Sequence, residues 1–187
     1  KTSRTPREGF ATLDVADPAA HLAFAASLDG APIDLLIVNA GVHFDKSYET
    51  MSQYTPQQWA ETFAINVTGA FLTVQSLLAN IRAADKAKIA IVSSQLASST
   101  NSGKGMLMYR ASKAAVLNLG RNLAVEFEPE GIAVGIYHPG WVQTDMGGAN
   151  ADIDIPTSAK GLIQRFDLLS MATTGVYEDY KGDALPY

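Results

Sequence analysis

Cysteine is absent from this chain of 187 residues. That excludes disulfides, thiolate metal sites and cysteine nucleophiles. Histidine is scarce: His21, His43 and His138 are the only three. No two of them stand at ligand spacing, which argues against a metal site. A Ser-His-Asp hydrolase would need one of them as its base, and no G-x-S-x-G elbow supports that chemistry. Long apolar runs are lacking too. The longest, such as "LLIV" and "IAIV", fall far short of a membrane-spanning helix, so no membrane association is expected. No basic block occurs and the formal net charge is −5, so nucleic acid is not an expected partner.

What is present has the balance of a soluble globular protein, 47% hydrophobic and 18% charged. The length suffices for one domain with a core of its own, and residues 1–187 are taken as that domain. Strand and helix patterns alternate. "GFATLDV" (9–15) predicts a short strand. In "DPAAHLAFAASLDG", Asp17 is placed to cap a helix, Pro18 suits its first position and Gly30 lies beyond its end. "IDLLIVNAGV", "AKIAIVSS" and "GIAVGIYHPG" are near-continuous apolar runs, as expected of parallel strands buried on both faces.

Between the first two of these runs, "TPQQWAETFAINVTGAFLTVQSLLANIRA" predicts one long helix. Thr55 and Gln58 form a capping box, and Phe63, Val67, Ala70, Val74, Leu77 and Ile81 fall on one stripe. A helix holding Tyr109 should run to about Phe127, where Glu128-Pro129 and Gly131 stop it. Another is expected from about Thr157, and "TTGVYEDYKGDALPY" reads as a strand and tail. The whole implies an α/β fold, a doubly wound parallel sheet with helices on both faces. Ligands in such sheets bind beyond the carboxyl ends of the strands. Asn39-Ala40-Gly41, Ser93-Ser94 and Pro139-Gly140 all fall at that edge.

Tyr109 and Lys113 stand at i and i+4 and so share a helix face. A free phenol, with a pKa near ~10, is a poor acid–base group at neutral pH; a neighbouring ammonium stabilises its phenolate and lowers that pKa. Ser94 ends the preceding strand, where its hydroxyl can bond and polarise a carbonyl oxygen. Asn66 can fix a water or a backbone kink. The spacing alone does not separate this pair from a second one, Tyr177 and Lys181 in "VYEDYK", which follows no strand ending in serine and reads as structural.

Taken together, "LDV" (13–15), "NAG" (39–41), Asn66 in "INVTGAF", "IVSS" (91–94), "YRASK" (109–113) and "HPGWVQTDMGG" (138–148) occur in an order that resembles the short-chain dehydrogenase/reductase family over nearly the whole chain. "HPGWVQTDMGG", the later "PTSAKGL" and the ending resemble its C-factor and sniffer-like carbonyl reductase branch. The interval between Ser94 and Tyr109 is longer than the family's usual one, and "STNSGKG" absorbs the excess.

The resemblance implies a Rossmann-like fold and an NAD(P)(H)-dependent oxidoreductase that interconverts a carbonyl and an alcohol. Tyr109 is then the general acid, and Lys113 binds the nicotinamide ribose and depresses the tyrosine pKa. Ser94 orients the carbonyl, with Ser93 a lesser candidate, and Asn66 holds a proton-relay water. Asp14 and Val15 meet the adenine, Asn39, Ala40 and Gly41 line the cofactor, and Pro139, Gly140, Val142 and Thr144 hold its nicotinamide side. The cofactor is NADP(H) or NAD(H), with NADP(H) favoured and Arg4 or Arg7 as its selecting cation. The resemblance also implies a cytoplasmic homodimer or homotetramer associating through the two long helices, acting on a small carbonyl or alcohol.

The family opens with a strand, a T-G-x-x-x-G-x-G turn and a helix, and the turn approaches the cofactor pyrophosphate. No such motif occurs here. The expectation is therefore a domain truncated at its N-terminus, with the first two strands absent and an edge of "LLIV" left open, and a sequence that is part of a longer protein. Two alternatives follow: a dinucleotide-binding signalling or regulatory homologue without catalysis, or an inactive, cofactor-free fragment of an enzyme.

Overall fold

Two short strands come first. β1 (Thr2–Ser3) and β2 (Ala11–Thr12) pair parallel to one another and form a sheet of their own in the computed structural model, which describes residues 1–187. Of the strand predicted over 9–15 only Ala11–Thr12 forms a ladder, because its partner is itself only two residues long. That partner lies where the sequence pattern predicts no strand. Helix α1 (Pro18–Ser27) follows, its first turn capped by the Asp17 carboxylate, which accepts from Ala19 N at 2.8 Å.

β3 (Leu35–Val38) then enters a second sheet. The run predicted as one long helix breaks into α2 (Pro56–Phe63), a π-helical turn (Ala64–Thr68), α3 (Gly69–Ser76) and α4 (Leu78–Arg82). A π turn inserts a residue and rotates the buried face. Downstream of it Ala70, Val74, Leu77 and Ile81 are buried as their spacing predicts; upstream Phe63 is only half-buried, as is Val67 within the turn, while Thr62, Ile65 and Asn66 point inward. The Thr55–Gln58 capping box forms as expected.

β4 (Lys88–Val92), α5 (Leu107–Phe127), β5 (Ala133–His138), α6 (Ile155–Leu168) and β6 (Tyr177–Asp179) complete the chain. The second sheet is parallel throughout, in the order β3-β4-β5-β6, with Val38 opposite Ile91 and Val92 opposite Tyr137. This register sets Asn39–Gly41, Ser93–Ser94 and Pro139–Gly140 at one edge, as the sequence implies. Ile89, Ile91 and Val134 meet Val74, Leu77, Ile81, Val116 and Leu123 in the main core. β3 pairs only with β4, so its other side is open, and Leu35 and Ile37 are 36% and 45% exposed. No helix is long and apolar enough to cross a membrane.

α5 crosses β5 at Gly120, where a Cβ would lie 2.6 Å from Ile136 Cγ1 and 3.2 Å from Ile91 Cδ1. Helix propensity alone favours alanine over glycine by about 1 kcal/mol. Overpacking a fully buried contact costs about 1–3 kcal/mol, and here the clash is with the Cγ1 methylene of the fully buried Ile136. Gly120→Ala is therefore expected to lower stability, read as a lower urea midpoint with an unchanged slope; a raised midpoint would show that propensity wins.

Candidate active site

The site begins with an asparagine inside a π turn. Asn66 is 2% exposed. Its Oδ1 accepts from Val42 N at 2.7 Å, and its Nδ2 donates to Val42 O and to Ser112 Oγ, each at 2.9 Å. Ser112 Oγ in turn donates to Tyr109 O at 2.8 Å. One amide thus joins the turn after β3, the π turn and α5. Both amide hydrogens of Asn66 are used, so the side chain holds protein backbone, and only a lone pair of Oδ1 is left for a relay water.

The two serines after β4 divide their work. Ser93 Oγ donates to Lys113 O at 3.1 Å and ties the strand to the helix. Ser94, 5% exposed, caps a short 3-10 turn by accepting from Leu96 N at 3.1 Å, and its side chain lies near enough to the Tyr109 phenol to lower its pKa. Ser94 is therefore the hydroxyl beside the phenol. The longer Ser94–Tyr109 interval is accommodated by Arg110, whose guanidinium donates to Asn101 O at 2.8 Å and packs over Gly103.

Lys113 is 5% exposed, donates to Val92 O at 3.0 Å, and holds its Nζ 5.7 Å from the Tyr109 ring centre. Burial lowers its pKa to about 8. The Tyr109 phenol is pushed above its ordinary value by burial, and the neighbouring Ser94 side chain opposes the shift. The expected depression of the phenol by Lys113 is thus not what this geometry produces: desolvation dominates, and the ammonium points to the Val92 carbonyl.

Two residues next to Tyr109 escape sequence reasoning. The His43 ring stacks on the phenol at 4.0 Å with 22° between planes, and His43 Nε2 lies 3.7 Å from Asp45 Oδ1. Asp45 is 1% exposed, and its Oδ2 accepts from Met108 N at 2.8 Å, so it caps α5 from a loop far upstream. A cap is ordinarily sought just before its helix. Here Met106 stands at that position with φ 54° and no capping group, and this left-handed residue is the nearest local signal. Tyr177, the tyrosine of the second pair, lies on β6 and not on a helix. Its hydroxyl donates to Ser94 O at 2.6 Å, so it supports the site from behind.

A cleft of about 710 Å³ opens between the two sheets, lined by Asp14, Val15, Asn39, Ala40 and Gly41 and also by Thr2, Ser3 and Arg4. Five of the residues expected to meet the cofactor are thus together, with one cation on the wall. Gly41 keeps the inner end open: a Cβ there would lie 3.3 Å from Asn66 Oδ1 and 3.4 Å from Lys113 Nζ. A cleft that carries the Arg4 cation and the Asp14 carboxylate, with Lys113 Nζ close behind Gly41, has groups suited to a nicotinamide dinucleotide. Pro139, Gly140, Val142 and Thr144 are not among its lining residues. Pro139 O accepts from Ser158 Oγ, Gly140 (φ 84°) packs on Ile153 and Tyr180, Val142 bridges to Ile153, and Thr144 lines a shallower cleft with Gln143, Asp145 and Ile155.

Comparison with known proteins agrees with this geometry. The family model described as short chain dehydrogenase matches residues 4–153. The chain is 34% identical over 166 residues to C-signal of Myxococcus xanthus, covering 88% of this chain and 99% of that protein. It spans about half the length of two further curated reductases that it matches, 47% and 44% of them. Among solved structures, the NADPH-bound carbonyl reductase from chicken fatty liver is 30% identical with a TM-score of 0.87, and the carbonyl reductase Sniffer of D. melanogaster is 27% identical with a TM-score of 0.88. Each match covers 95% of this chain and 77% of the other. The chain belongs to the short-chain dehydrogenase family, in the branch of C-signal and the Sniffer-type carbonyl reductases.

Proposed function

We propose that the chain is an NAD(P)(H)-dependent oxidoreductase that interconverts a small-molecule carbonyl and its alcohol, with NADP(H) the favoured cofactor. The observation that carries this reading is the buried Tyr109 phenol, with the Ser94 side chain beside it and the Lys113 ammonium 5.7 Å from its ring. Arg4 on the cleft wall supports a phosphate-bearing cofactor. The chicken reductase, described with NADPH bound, supports the same choice.

When bound, the nicotinamide supplies or accepts the hydride. The chain's own groups handle the oxygen and its proton. In the reductive direction Ser94 Oγ donates a hydrogen bond to the carbonyl oxygen, and the Tyr109 hydroxyl gives its proton to that oxygen as charge develops there. A phenol held above its ordinary pKa remains protonated at neutral pH, which suits an acid. The phenolate left behind gains from the nearby Lys113 ammonium, which the Val92 carbonyl holds in place. Asn66 keeps Val42 and the start of the cleft fixed relative to α5.

A second reading is a dinucleotide-binding homologue without turnover. The match to C-signal, which extends over 99% of that protein, favours it. Cofactor binding with no NADPH consumption across a panel of aldehydes and ketones would support this second reading over the first.

Tyr109→Phe is expected to lower NADPH consumption with an accepted carbonyl by about 10²–10⁴-fold, the usual worth of a positioned acid, with circular dichroism unchanged. Retained turnover would remove the phenol from the mechanism. A pH dependence follows from Lys113. Its lowered pKa keeps the ammonium charged below about 8 and neutral above. The reductive kcat should therefore fall as pH rises through about 8, and a rate flat across that range would count against Lys113 as the stabilising charge.

A further inference from the structure

We propose that His43 is a positioning residue for Tyr109: its ring, steered by the Asp45 carboxylate, seals one face of the phenol from water and holds it toward Ser94. This rests on the acid role assigned to Tyr109 above. The two rings are stacked, 4.0 Å apart and 22° from parallel. The His43 side chain is 9% exposed and that of Asp45 is 1% exposed.

His43 Nε2 and Asp45 Oδ1 are both buried without a hydrogen-bond partner, and they face each other at 3.7 Å. Unpartnered buried polar atoms are costly, and each of these has the other as its nearest answer. The second oxygen of Asp45 accepts from Met108 N, one residue before Tyr109. The same carboxylate therefore sets where α5 starts and where the imidazole lies, and the phenol is fixed between the two.

The charged and titratable groups facing His43 are Asp45 and Lys46 on its own loop and Tyr109 and Lys113 on α5. Burial lowers the His43 pKa, Asp45 opposes that shift, and Lys46 and Lys113 reinforce it. The ring is thus neutral at neutral pH and acts on Tyr109 as an apolar lid. Because burial is the first cause of the raised phenol pKa, removing the lid should bring the phenol down.

The test reads that phenol directly, with no turnover needed. Phenolate absorbance is titrated in each protein and corrected by the same protein carrying Tyr109→Phe. His43→Ala and the polar His43→Asn should bring the Tyr109 titration down toward the ordinary phenol, while His43→Phe, which keeps the stack, should leave it raised. An unmoved titration in a folded His43→Ala or His43→Asn protein overturns the proposal. Asp45→Asn keeps an oxygen for Met108 N and removes the charge facing His43. The His43 ring resonance should then titrate lower than in the parent, and an unmoved resonance breaks the link to Asp45.

With an accepted carbonyl, His43→Ala should lower kcat about tenfold, the scale of one aromatic pair, with KM little changed and His43→Phe restoring most of it. A fall in KM and kcat together that His43→Phe does not rescue overturns the positioning role. Absence of turnover in the parent, with the phenol shifts as stated, would instead overturn only the oxidoreductase reading.

Discussion

The site depends on a single amide that holds three parts of the chain in one place. Asn66 bonds Val42 through both its oxygen and its nitrogen and reaches Ser112 with its other hydrogen. Each such bond contributes about 0.5–1.5 kcal/mol net, less than one buried leucine. Its worth is therefore geometric more than energetic. With those bonds made, Gly41 lies against Lys113, and the open end of the cleft meets the ammonium. The π turn is the backbone consequence: a residue inserted into the helix turns Asn66 inward at the cost of regular helix bonding, a departure that natural helices concentrate at functional positions.

Around that fixed point, burial sets the electrostatics. Lys113 and Tyr109 are both removed from water, and burial disfavours the charged form of each, lowering the lysine and raising the phenol. The pair therefore favours a neutral phenol beside a weakly held ammonium. That arrangement suits the proton donor proposed above, which acts as negative charge develops on a bound oxygen. A negative charge appearing at the phenol oxygen would pull the lysine back toward its charged form, so the two groups are coupled through the reaction more than in the resting site.

Much of this was legible in the sequence, for identifiable reasons. The buried strands announced themselves as apolar runs, and parallel pairing forced their polar ends to a common edge, so Ser94, Asn39 and Gly41 were placed without coordinates. The caps at Asp17 and Thr55 were local and readable. What escaped was non-local or sub-helical. The π turn leaves no mark on hydrophobic spacing except a stripe that fails at Phe63 and Val67. Asp45 caps a helix from 63 residues away, and no window of sequence joins them. β1 is two residues long, too short for any periodicity.

Tyr177 shows how the same residue can mislead in one representation and inform in another. Its spacing to Lys181 copies that of Tyr109 to Lys113, yet Tyr177 opens β6 while Lys181 lies in the turn beyond Asp179, where its N donates to Asp179 Oδ1 at 2.8 Å, so the two share no helix face. The fold uses the hydroxyl otherwise. Tyr177 bonds Ser94 O from β6 while Ser93, just beyond β4, anchors the same backbone to Lys113 O. The serine that faces the phenol is therefore held on both sides of its own peptide. Two hydrogen bonds thus fix the backbone from which its side chain extends, and the position of its hydroxyl depends on the last strand of the sheet as well as on the strand that precedes it.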